Sequence, residues 1–223
     1  FDDQGNDPGR VFTLALLTET LFSPPPVTVP RRFGAALAGG VIDADALPDV
    51  IVGAPGQGNL VVHRGRLDGG FDSSGLIPSS SVPANAPGST PARFGQALAL
   101  GRFDARPGLD LAVGQPDRVL ERGLVPDVSE AGAIHIVPQH ASAGAMLFDF
   151  AAAITIDADS LEAPVASFDR IGDRIAVGDF NGDGIDEIAL GVPRADVDGA
   201  TDAGRVIVRS VAGRLPDVFA DGF

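Results

Sequence analysis

Three stretches of this chain repeat one pattern at one spacing, and this repetition limits the possible folds more than any other feature. Each copy begins with an aromatic or aliphatic residue followed by glycine, and a proline lies 22 positions further on. The copies run from Phe33 to Pro55, from Phe94 to Pro116 and from Ile171 to Pro193, and an arginine precedes each one. Scattered Gly-Pro turns do not produce three gapless matches at one spacing, so one supersecondary unit recurs along the chain.

The repeated unit has the pattern of several short β-strands. Apolar triplets such as Val50 to Val52 are typical of buried strands. A third apolar strand begins near a glycine after each proline, for example at Gly58 to Val62. Fourth strands are expected near Ile77 and near Ala153 to Ile156. The sequence therefore predicts an all-β fold in which each unit has four antiparallel strands, as in the blade of a β-propeller.

The starts of the copies divide the chain into five segments. These are the second half of a truncated repeat (1–30), a first full repeat (31–90), a second repeat with a loop insertion (91–167), a third repeat with a metal loop (168–212) and a C-terminal tail (213–223). The insertion, Arg118 to Glu130, is expected to be an exposed loop. Because the chain starts at Phe1 inside a repeat, we expect an N-terminus that was processed or cut, whereas the tail indicates a natural C-terminus.

The third copy contains a loop, residues 179–187, in which nearly every second residue has a side-chain oxygen. Its sequence, DFNGDGIDE, places side-chain oxygens at positions 1, 3 and 5, glycine at position 6 and carboxylates at positions 8 and 9. Calcium takes six to eight oxygen ligands, and Gly184 permits the sharp bend. Position 12 is Leu190, inside an apolar strand, so the loop is not an EF-hand. The alternative is an acidic β-turn without a metal.

The aligned loops of the other two copies keep fewer of these oxygens. The first copy keeps positions 3, 5 and 9 and is predicted to form a weaker second calcium site from Asp43, Asp45 and Asp49. In the second copy, positions 1 and 5 are Arg102 and Arg106, so no calcium is expected. The two arginines could form internal salt bridges with Asp104 and Asp110, or they could point to solvent.

Composition excludes several classes of function. Acidic residues outnumber basic ones by 30 to 16, giving a net charge of -14, and such a chain repels nucleic acid. There is no cysteine, and no apolar run reaches the length of a membrane helix. The three histidines, His63, His135 and His140, belong to no recognisable catalytic motif, and phosphate-binding loops are absent. No catalytic residue is therefore predicted.

The pairing of Phe33-Gly34 with Gly53-Ala54-Pro55, and of Ile171-Gly172 with Gly191-Val192-Pro193 around the loop at 179–187, resembles the FG-GAP repeat. This repeat builds the seven-bladed β-propeller of integrin alpha subunits and of many secreted bacterial proteins. The resemblance implies an incomplete ring of about three and a half repeats, in which the glycine motifs pack between strands and blades. It also implies a set of calcium ligands: Asp179, Asn181, Asp183, the Ile185 carbonyl and Glu187, with Asp186 as the substitute for Glu187.

The resemblance implies a calcium-binding module that takes part in extracellular protein or glycan binding and adhesion, secreted or on a bacterial cell surface. Loops at one end of a propeller usually meet the ligand, and the candidates are Gln57 to Asn59, Arg118 to Glu130 and Asp196 to Asp202. Two alternatives are the non-catalytic part of a larger secreted hydrolase and a purely structural surface domain. Nucleic acid and membrane insertion are not expected, whereas open propeller edges could lead to self-association.

Overall fold

The computed structural model describes residues 32–83, 91–122, 126–139, 147–162 and 164–211, and in this part of the chain every sheet is antiparallel. The first unit contains β1 (Ala36–Gly40), β2 (Asp49–Ala54), β3 (Asn59–Gly65) and β4 (Phe71–Pro78). The second unit contains β5 (Leu98–Gly101), β6 (Asp110–Gln115), β7 (Ala133–Val137) and β8 (Ile154–Asp157). The third unit contains β9 (Arg174–Gly178), β10 (Glu187–Val192) and β11 (Arg205–Ser210). The prediction of an all-β fold is confirmed. The predictions for residues 1–30, the tail 213–223 and His140 lie outside the described residues.

Neighbouring strands within each unit follow chain order, and the three units have the same register. The glycine of each Gly-x-Pro motif pairs with the equivalent residue of the third strand in every unit. The pairs are Gly53 with Leu60, Gly114 with Ile134, and Gly191 with Val206. The repetition seen in the sequence is therefore a repetition of strand register.

The units stack face to face through two apolar cores. The core between the first and second units contains Ile51, Leu60 and Val62 on one side and Leu111 and Val113 on the other. A second core fills the space between the second and third units in the same way. Contacts between units are concentrated on their first strands, β1 with β5 and β5 with β9, so the sheets fan out from these strands. Both faces of β6 are buried, which explains the apolar run from Leu111 to Val113 at its centre.

Glycines of successive units lie directly against one another where the sheets meet. A Cβ atom on Gly53 would overlap the Gly95 carbonyl, and one on Gly114 would overlap the Gly172 carbonyl. Gly95 and Gly172 also have left-handed φ values of 84° and 85°, which glycine adopts without strain. The Phe/Ile-Gly motif of one unit and the Gly-x-Pro motif of the preceding unit are thus the two halves of one inter-unit contact.

The insertion in the second unit is partly packed and partly exposed, so the prediction of an exposed loop was wrong in part. Leu120 and Val128 form an antiparallel bridge and are 8% and 7% exposed, because both side chains join the core between the second and third units. Arg118 pairs with Asp157, and Arg122 pairs with Asp159.

Three short 3-10 helices, at Ser79–Ser81, Phe150–Ala152 and Ala158–Ser160, complete the regular structure of the described residues. The second is capped by the Asp149 carboxylate, which accepts hydrogen bonds from the backbone nitrogens of Ala151 and Ala152. Within the described ranges, no helix has both the length and the apolar character needed to cross a membrane.

Candidate metal centre

The candidate calcium loop and its two relatives each connect the first and second strands of a unit. Residues 179–187 join β9 to β10, as residues 41–49 join β1 to β2 and residues 102–110 join β5 to β6. Strand direction alternates in an antiparallel sheet, so these three loops share one end of the stack. The loops that join second to third strands lie at the opposite end.

Asp179 organises the loop of the third unit. Its Oδ1 atom accepts hydrogen bonds from the backbone nitrogens of Gly182 (2.6 Å) and Asp183 (3.1 Å), and its Oδ2 atom accepts one from Gly184 (2.9 Å). One carboxylate therefore folds the loop around itself. Gly182 and Gly184 have left-handed φ values of 80° and 87°, which the sharp turn requires.

Asn181 lies between two carboxylates. Its amide nitrogen donates to Asp183 Oδ2 (3.2 Å) and to Glu187 Oε1 (2.9 Å), and its Oδ1 atom accepts from the Asp183 nitrogen (2.8 Å). Asp183 in turn accepts a 2.8 Å hydrogen bond from the Ile185 nitrogen. Asp183 and Glu187 therefore direct one oxygen each to a common partner, and in this structure that partner is an N–H donor.

Glu187 and Asp186, the two candidates for the last carboxylate ligand, have different surroundings. Glu187 is buried, and its Oε2 atom accepts a 3.0 Å hydrogen bond from the Phe180 nitrogen, which closes the loop. Asp186 exchanges two 2.7 Å hydrogen bonds with the backbone of Arg102 in the second unit. Glu187 therefore faces the interior of its own loop, whereas Asp186 forms a structural contact between two units.

The residues of this loop fit a calcium ion by the chemistry of their donors. Three carboxylates, one amide oxygen and one backbone carbonyl are hard oxygen ligands of the kind that calcium prefers. No group of three or more acidic or histidine side chains in the described part of the chain forms a ready-made metal cluster. To act as a ligand, Asn181 must turn its oxygen toward the point that its nitrogen occupies. The ligand set, Asp179, Asn181, Asp183, Ile185 and Glu187, stays a prediction.

The loop of the first unit keeps the same backbone turns with fewer oxygens. Asp43 Oδ1 accepts from the Asp45 nitrogen (3.0 Å), and Asp45 Oδ1 accepts from the Leu47 nitrogen (2.8 Å), as Asn181 and Asp183 do in the third unit. Burial raises the pKa of Asp43. Asp49 is 1% exposed, and its two oxygens already accept from backbone nitrogens. A weaker calcium site at Asp43, Asp45 and Asp49 stays a prediction.

The loop of the second unit contains one of the two salt bridges that the sequence left open. Arg106 Nε donates a 2.6 Å hydrogen bond to Asp104 Oδ2. Burial raises the pKa of Asp104, but the hydrogen bonds from Arg106 outweigh that effect and hold this pKa below its usual value. Asp110 is bonded instead to the backbone nitrogens of Phe103 and Gln139, and Arg102 makes its contacts to Asp186 through the backbone.

A buried acid at position 9 closes all three loops, and the sequence analysis missed this role. In each unit it accepts a hydrogen bond from the backbone nitrogen at position 2. The pairs are Asp49 with Ile42 (3.2 Å), Asp110 with Phe103 (3.2 Å), and Glu187 with Phe180 (3.0 Å). The available signal was that the two loops without a side-chain oxygen at position 1 still keep an acid at position 9. This acid therefore shapes the loop whether or not a metal binds.

Ion pairs connect the second and third units at the opposite end. Asp117 lies 3.5 Å from Arg93 and 3.6 Å from Arg170, the arginines that precede the second and third copies. Arg93 also lies 3.7 Å from Asp173. Both arginines have left-handed φ values, 58° and 61°. The repeated arginine thus has a structural function at the unit boundary.

His135 is a packed core residue. It is 0% exposed, and its Nε2 and Nδ1 atoms lie 2.7 Å from Gln115 Oε1 and 2.9 Å from Thr155 Oγ1. Its ring packs on Phe94 at 5.8 Å between centroids. Burial and the nearby Arg118 lower the pKa of His135 to about 3. The imidazole is therefore neutral, and both of its nitrogens have hydrogen-bond partners.

A cleft of about 380 Å³ lies beside the loop of the second unit, between Phe103, Ile136 and Val211. Its acidic groups are already bonded: Asp104 to Arg106, and Asp110 to backbone nitrogens. The cleft is thus a largely apolar gap between two sheets, and the acidic groups that line it have partners in the protein.

The comparisons with known proteins agree with this architecture. The family model described as the FG-GAP repeat matches residues 172–208, which include the candidate calcium loop. Residues 172–208 thus match an FG-GAP repeat, and the antiparallel sheets of the chain are units of a propeller-like fold.

One relative is integrin alpha-X of Mus musculus, which is 36% identical to this chain over 119 residues. That alignment covers 50% of this chain and 10% of the relative. The chain thus matches about a tenth of the length of that protein.

Proposed function

We propose that this chain is a calcium-stabilised, non-enzymatic repeat module that binds a protein or glycan outside the cytoplasm. The loop at 179–187 carries the calcium part of the proposal, because its side-chain oxygens and glycines follow the requirements of a short calcium loop. The similarity to integrin alpha-X supports an adhesion-type role and an extracellular or surface location. Bacterial origin and secretion are expectations from the resemblance.

Calcium would be held by Asp179, Asn181, Asp183, the Ile185 carbonyl and Glu187. When bound, the cation would neutralise the three carboxylates of this set, which repel one another at close range. In its absence, the Asn181 amide is the only side-chain donor that the described contacts place between Asp183 and Glu187. An affinity of roughly 10⁻⁴ to 10⁻³ M is typical of extracellular calcium modules. Such a site is filled where calcium is abundant.

The topology favours a stabilising role for calcium over direct contact with a partner. The candidate recognition loops, Gln57 to Asn59, Arg118 to Glu130 and Asp196 to Asp202, all join second to third strands. They lie at the end of the stack opposite the calcium loops. We infer that the partner binds at this end and that calcium supports its binding by keeping the third unit folded.

A calcium titration of chelator-stripped protein, by calorimetry with parallel thermal melts, tests the metal site. We expect one site and a rise in Tm. Asp183→Ala should remove most of this rise, whereas the matched variant Asp104→Ala should leave it unchanged. No heat and no shift in Tm would mean that residues 179–187 form an acidic turn, and equal losses in both variants would defeat the site assignment.

Partner binding is tested separately by probing a glycan array and a panel of purified extracellular matrix proteins with the labelled chain. Binding should weaken when calcium is removed and also when charges are reversed in the 196–202 loop, for example in Asp198→Arg. A ligand that is lost with calcium but insensitive to the recognition loops would argue for contact through the metal end. The complete absence of ligands would favour a structural module.

A further inference from the structure

We propose that Asn181 is a site of spontaneous deamidation through the backbone nitrogen of Gly182, and that hydrogen bonds within the loop at 179–187 restrain the reaction. Asn181 is the only asparagine of the chain that is followed by glycine. Both residues are exposed in the structure. The reaction needs solvent water and no metal, so the proposal stands independently of the proposed calcium site.

The first step joins atoms of two neighbouring residues. The Gly182 nitrogen loses its proton to solvent and attacks Cγ of Asn181, so that an N–Cγ bond forms. The Cγ–Nδ2 bond then breaks, ammonia leaves, and a five-membered cyclic imide remains. A side chain on the residue after asparagine hinders this attack, whereas glycine has none. Space around Gly182 is also open, since an added Cβ would meet nothing within 4 Å.

The second step is hydrolysis of the imide by water at one of its two carbonyl carbons. Breaking the N–Cγ bond gives aspartate on an unchanged backbone. Breaking the original peptide bond gives isoaspartate, in which the backbone runs through Cβ and Cγ of the residue. In both cases one water is consumed and one ammonia is released, and a carboxylate replaces the Asn181 amide.

The attacking nitrogen is held by Asp179. Gly182 donates a 2.6 Å hydrogen bond to Asp179 Oδ1, and the same carboxylate accepts from the nitrogens of Asp183 and Gly184. The Gly182 nitrogen can lose its proton and attack only when this bond is broken. Because one carboxylate holds three nitrogens, breaking the bond loosens the turn as a whole.

The amide under attack is held as well. Asn181 Nδ2 donates to Asp183 Oδ2 (3.2 Å) and to Glu187 Oε1 (2.9 Å), and Asn181 Oδ1 accepts from the Asp183 nitrogen (2.8 Å). Attack requires a close and aligned approach of the reacting atoms, and rotation of the amide into that geometry breaks these bonds. The reaction therefore proceeds through local opening of the loop.

The two products affect the loop differently. Aspartate keeps the backbone and adds a charge beside Asp183 and Glu187. Isoaspartate lengthens the backbone by one methylene between positions 3 and 4, so the turn that Asp179 holds no longer fits its three nitrogens. Under the proposed function, isoaspartate should abolish the rise in Tm with calcium, and the loop loses its site irreversibly with age.

Peptide mapping by mass spectrometry of the aged full chain tests the proposal. The protein is incubated in chelator at mildly alkaline pH, folded or unfolded in urea, and the fractions of asparagine, aspartate and isoaspartate are followed at two positions. In urea, Asn181 should react about tenfold or more faster than Asn59, which precedes leucine. Folding should slow the reaction of Asn181 by about tenfold or more, because the loop is mostly closed.

Variants identify the hydrogen bonds that restrain the reaction. Asp179→Ala removes the acceptor of the Gly182 nitrogen, so Asn181 should deamidate severalfold faster in the folded, calcium-free protein. Glu187→Gln has one acceptor oxygen where Glu187 uses two, and it should also accelerate the reaction. Asp43→Ala removes an acid of the first loop and is the matched control, with an unchanged rate at Asn181. Thermal melts identify the variants that are folded during the incubation.

Three results would overturn the proposal: equal rates at Asn181 in the folded and unfolded chains, no advantage of Asn181 over Asn59 in urea, or unchanged rates in both loop variants. Calcium separates this proposal from the proposed function. A bound cation should keep the loop closed and slow the reaction further. Equal rates with calcium and with chelator would contradict the calcium site, while the contrast between folded and unfolded chains would still support the deamidation site.

Discussion

The backbone nitrogen of Phe103 donates a 3.2 Å hydrogen bond to the carboxylate of Asp110, seven residues further along the chain. The second oxygen of Asp110 accepts a 2.9 Å hydrogen bond from the Gln139 nitrogen, just beyond the third strand of the unit. One buried carboxylate thus fixes the loop between two strands and ties it to a third. Asp49 makes the same pair of contacts in the first unit, to Ile42 and Gly65.

Removal of this carboxylate should destabilise the unit that contains it. Asp49→Ala leaves the backbone N–H groups of Ile42 and Gly65 without their acceptor in a protected site. Unsatisfied groups of this kind cost about 1 to 3 kcal/mol each, so the loss of two acceptors should lower the free energy of unfolding by about 2 to 6 kcal/mol. Urea unfolding in calcium-free buffer measures this loss.

Asp45→Ala is the control for the Asp49 variant. Asp45 is exposed, and its side chain accepts a hydrogen bond from the Leu47 nitrogen, which water can replace. Its loss should be below about 1 kcal/mol. Comparable losses in the two variants would show that Asp49 does not hold the loop closed.

The glycine contact between units predicts a steep sensitivity to a single methyl group. Gly114→Ala would place a Cβ against the Gly172 carbonyl, and the two sheets must separate to admit it. Overpacking of this kind costs about 1 to 3 kcal/mol. Thermal melts of Gly114→Ala should therefore show a Tm several degrees below that of the wild type.

Gly39→Ala is the matched control for Gly114→Ala, because it also adds a methyl group to a strand. The nearest atom to a Cβ on Gly39 is the Asp49 carbonyl oxygen at 3.5 Å, an ordinary van der Waals distance. Its Tm should equal or exceed that of the wild type. If both variants melt at the same temperature, the contact between units is not close-packed in solution.

The fold was largely predictable, because the repeat places Gly and Pro at constant spacing around apolar triplets, and such triplets are typical of strands buried on both faces. The second strands and the third strands of all three units lie where the pattern predicts them. The packed insertion was not predicted. Leu120 and Val128 become neighbours only when the strands on either side have formed, and local sequence carries no information about the sheet that covers them.

The candidate metal loop was predictable in its turns but not in all of its contacts. The alternating oxygens of residues 179–187 indicate the folded loop, since each short polar side chain can accept from a backbone nitrogen two or more residues later. The contact between Asp186 and Arg102 depends on the stacking of two units, 84 residues apart in sequence. Such contacts can be recognised only from the three-dimensional arrangement.

Charge added at position 3 of the third loop should change stability in opposite directions with and without calcium. Asn181→Asp replaces the amide that bridges Asp183 and Glu187 with a carboxylate, the fourth in the proposed ligand set. Without calcium, repulsion should lower Tm. With calcium, a further carboxylate should lower the concentration needed for half-maximal stabilisation severalfold, because ligand charge raises affinity.

Thermal melts of Asn181→Asp in chelator and across a calcium series measure both effects. Asn59→Asp, a charge addition of the same kind on β3 of the first unit, is the control and should not alter the calcium midpoint. An unchanged midpoint in Asn181→Asp would remove Asn181 from the ligand set.

His135 should make the stability of the protein depend on pH. Its pKa is lowered from 6.5 to about 3 in the folded state by burial and by Arg118, so the unfolded chain binds a proton that the folded protein does not. Stability from this group is complete above pH 6.5 and is lost as pH falls toward 3. Across this window the slope should approach about 1.4 kcal/mol per pH unit. His135→Gln, which keeps hydrogen-bonding groups toward Gln115 and Thr155, should flatten the dependence by about that amount.

Urea unfolding of wild type and His135→Gln at intervals between pH 5 and 7 measures this slope above the range in which most carboxylates titrate. The variant loses stability at pH 7 through imperfect packing, but its loss should shrink as the pH falls, because it lacks the His135 imidazole that the wild type protonates on unfolding. Parallel curves for the two proteins would mean that His135 accepts its proton in the folded state, and that the packing of Phe94 and Gln115 around the ring is looser than the structure shows.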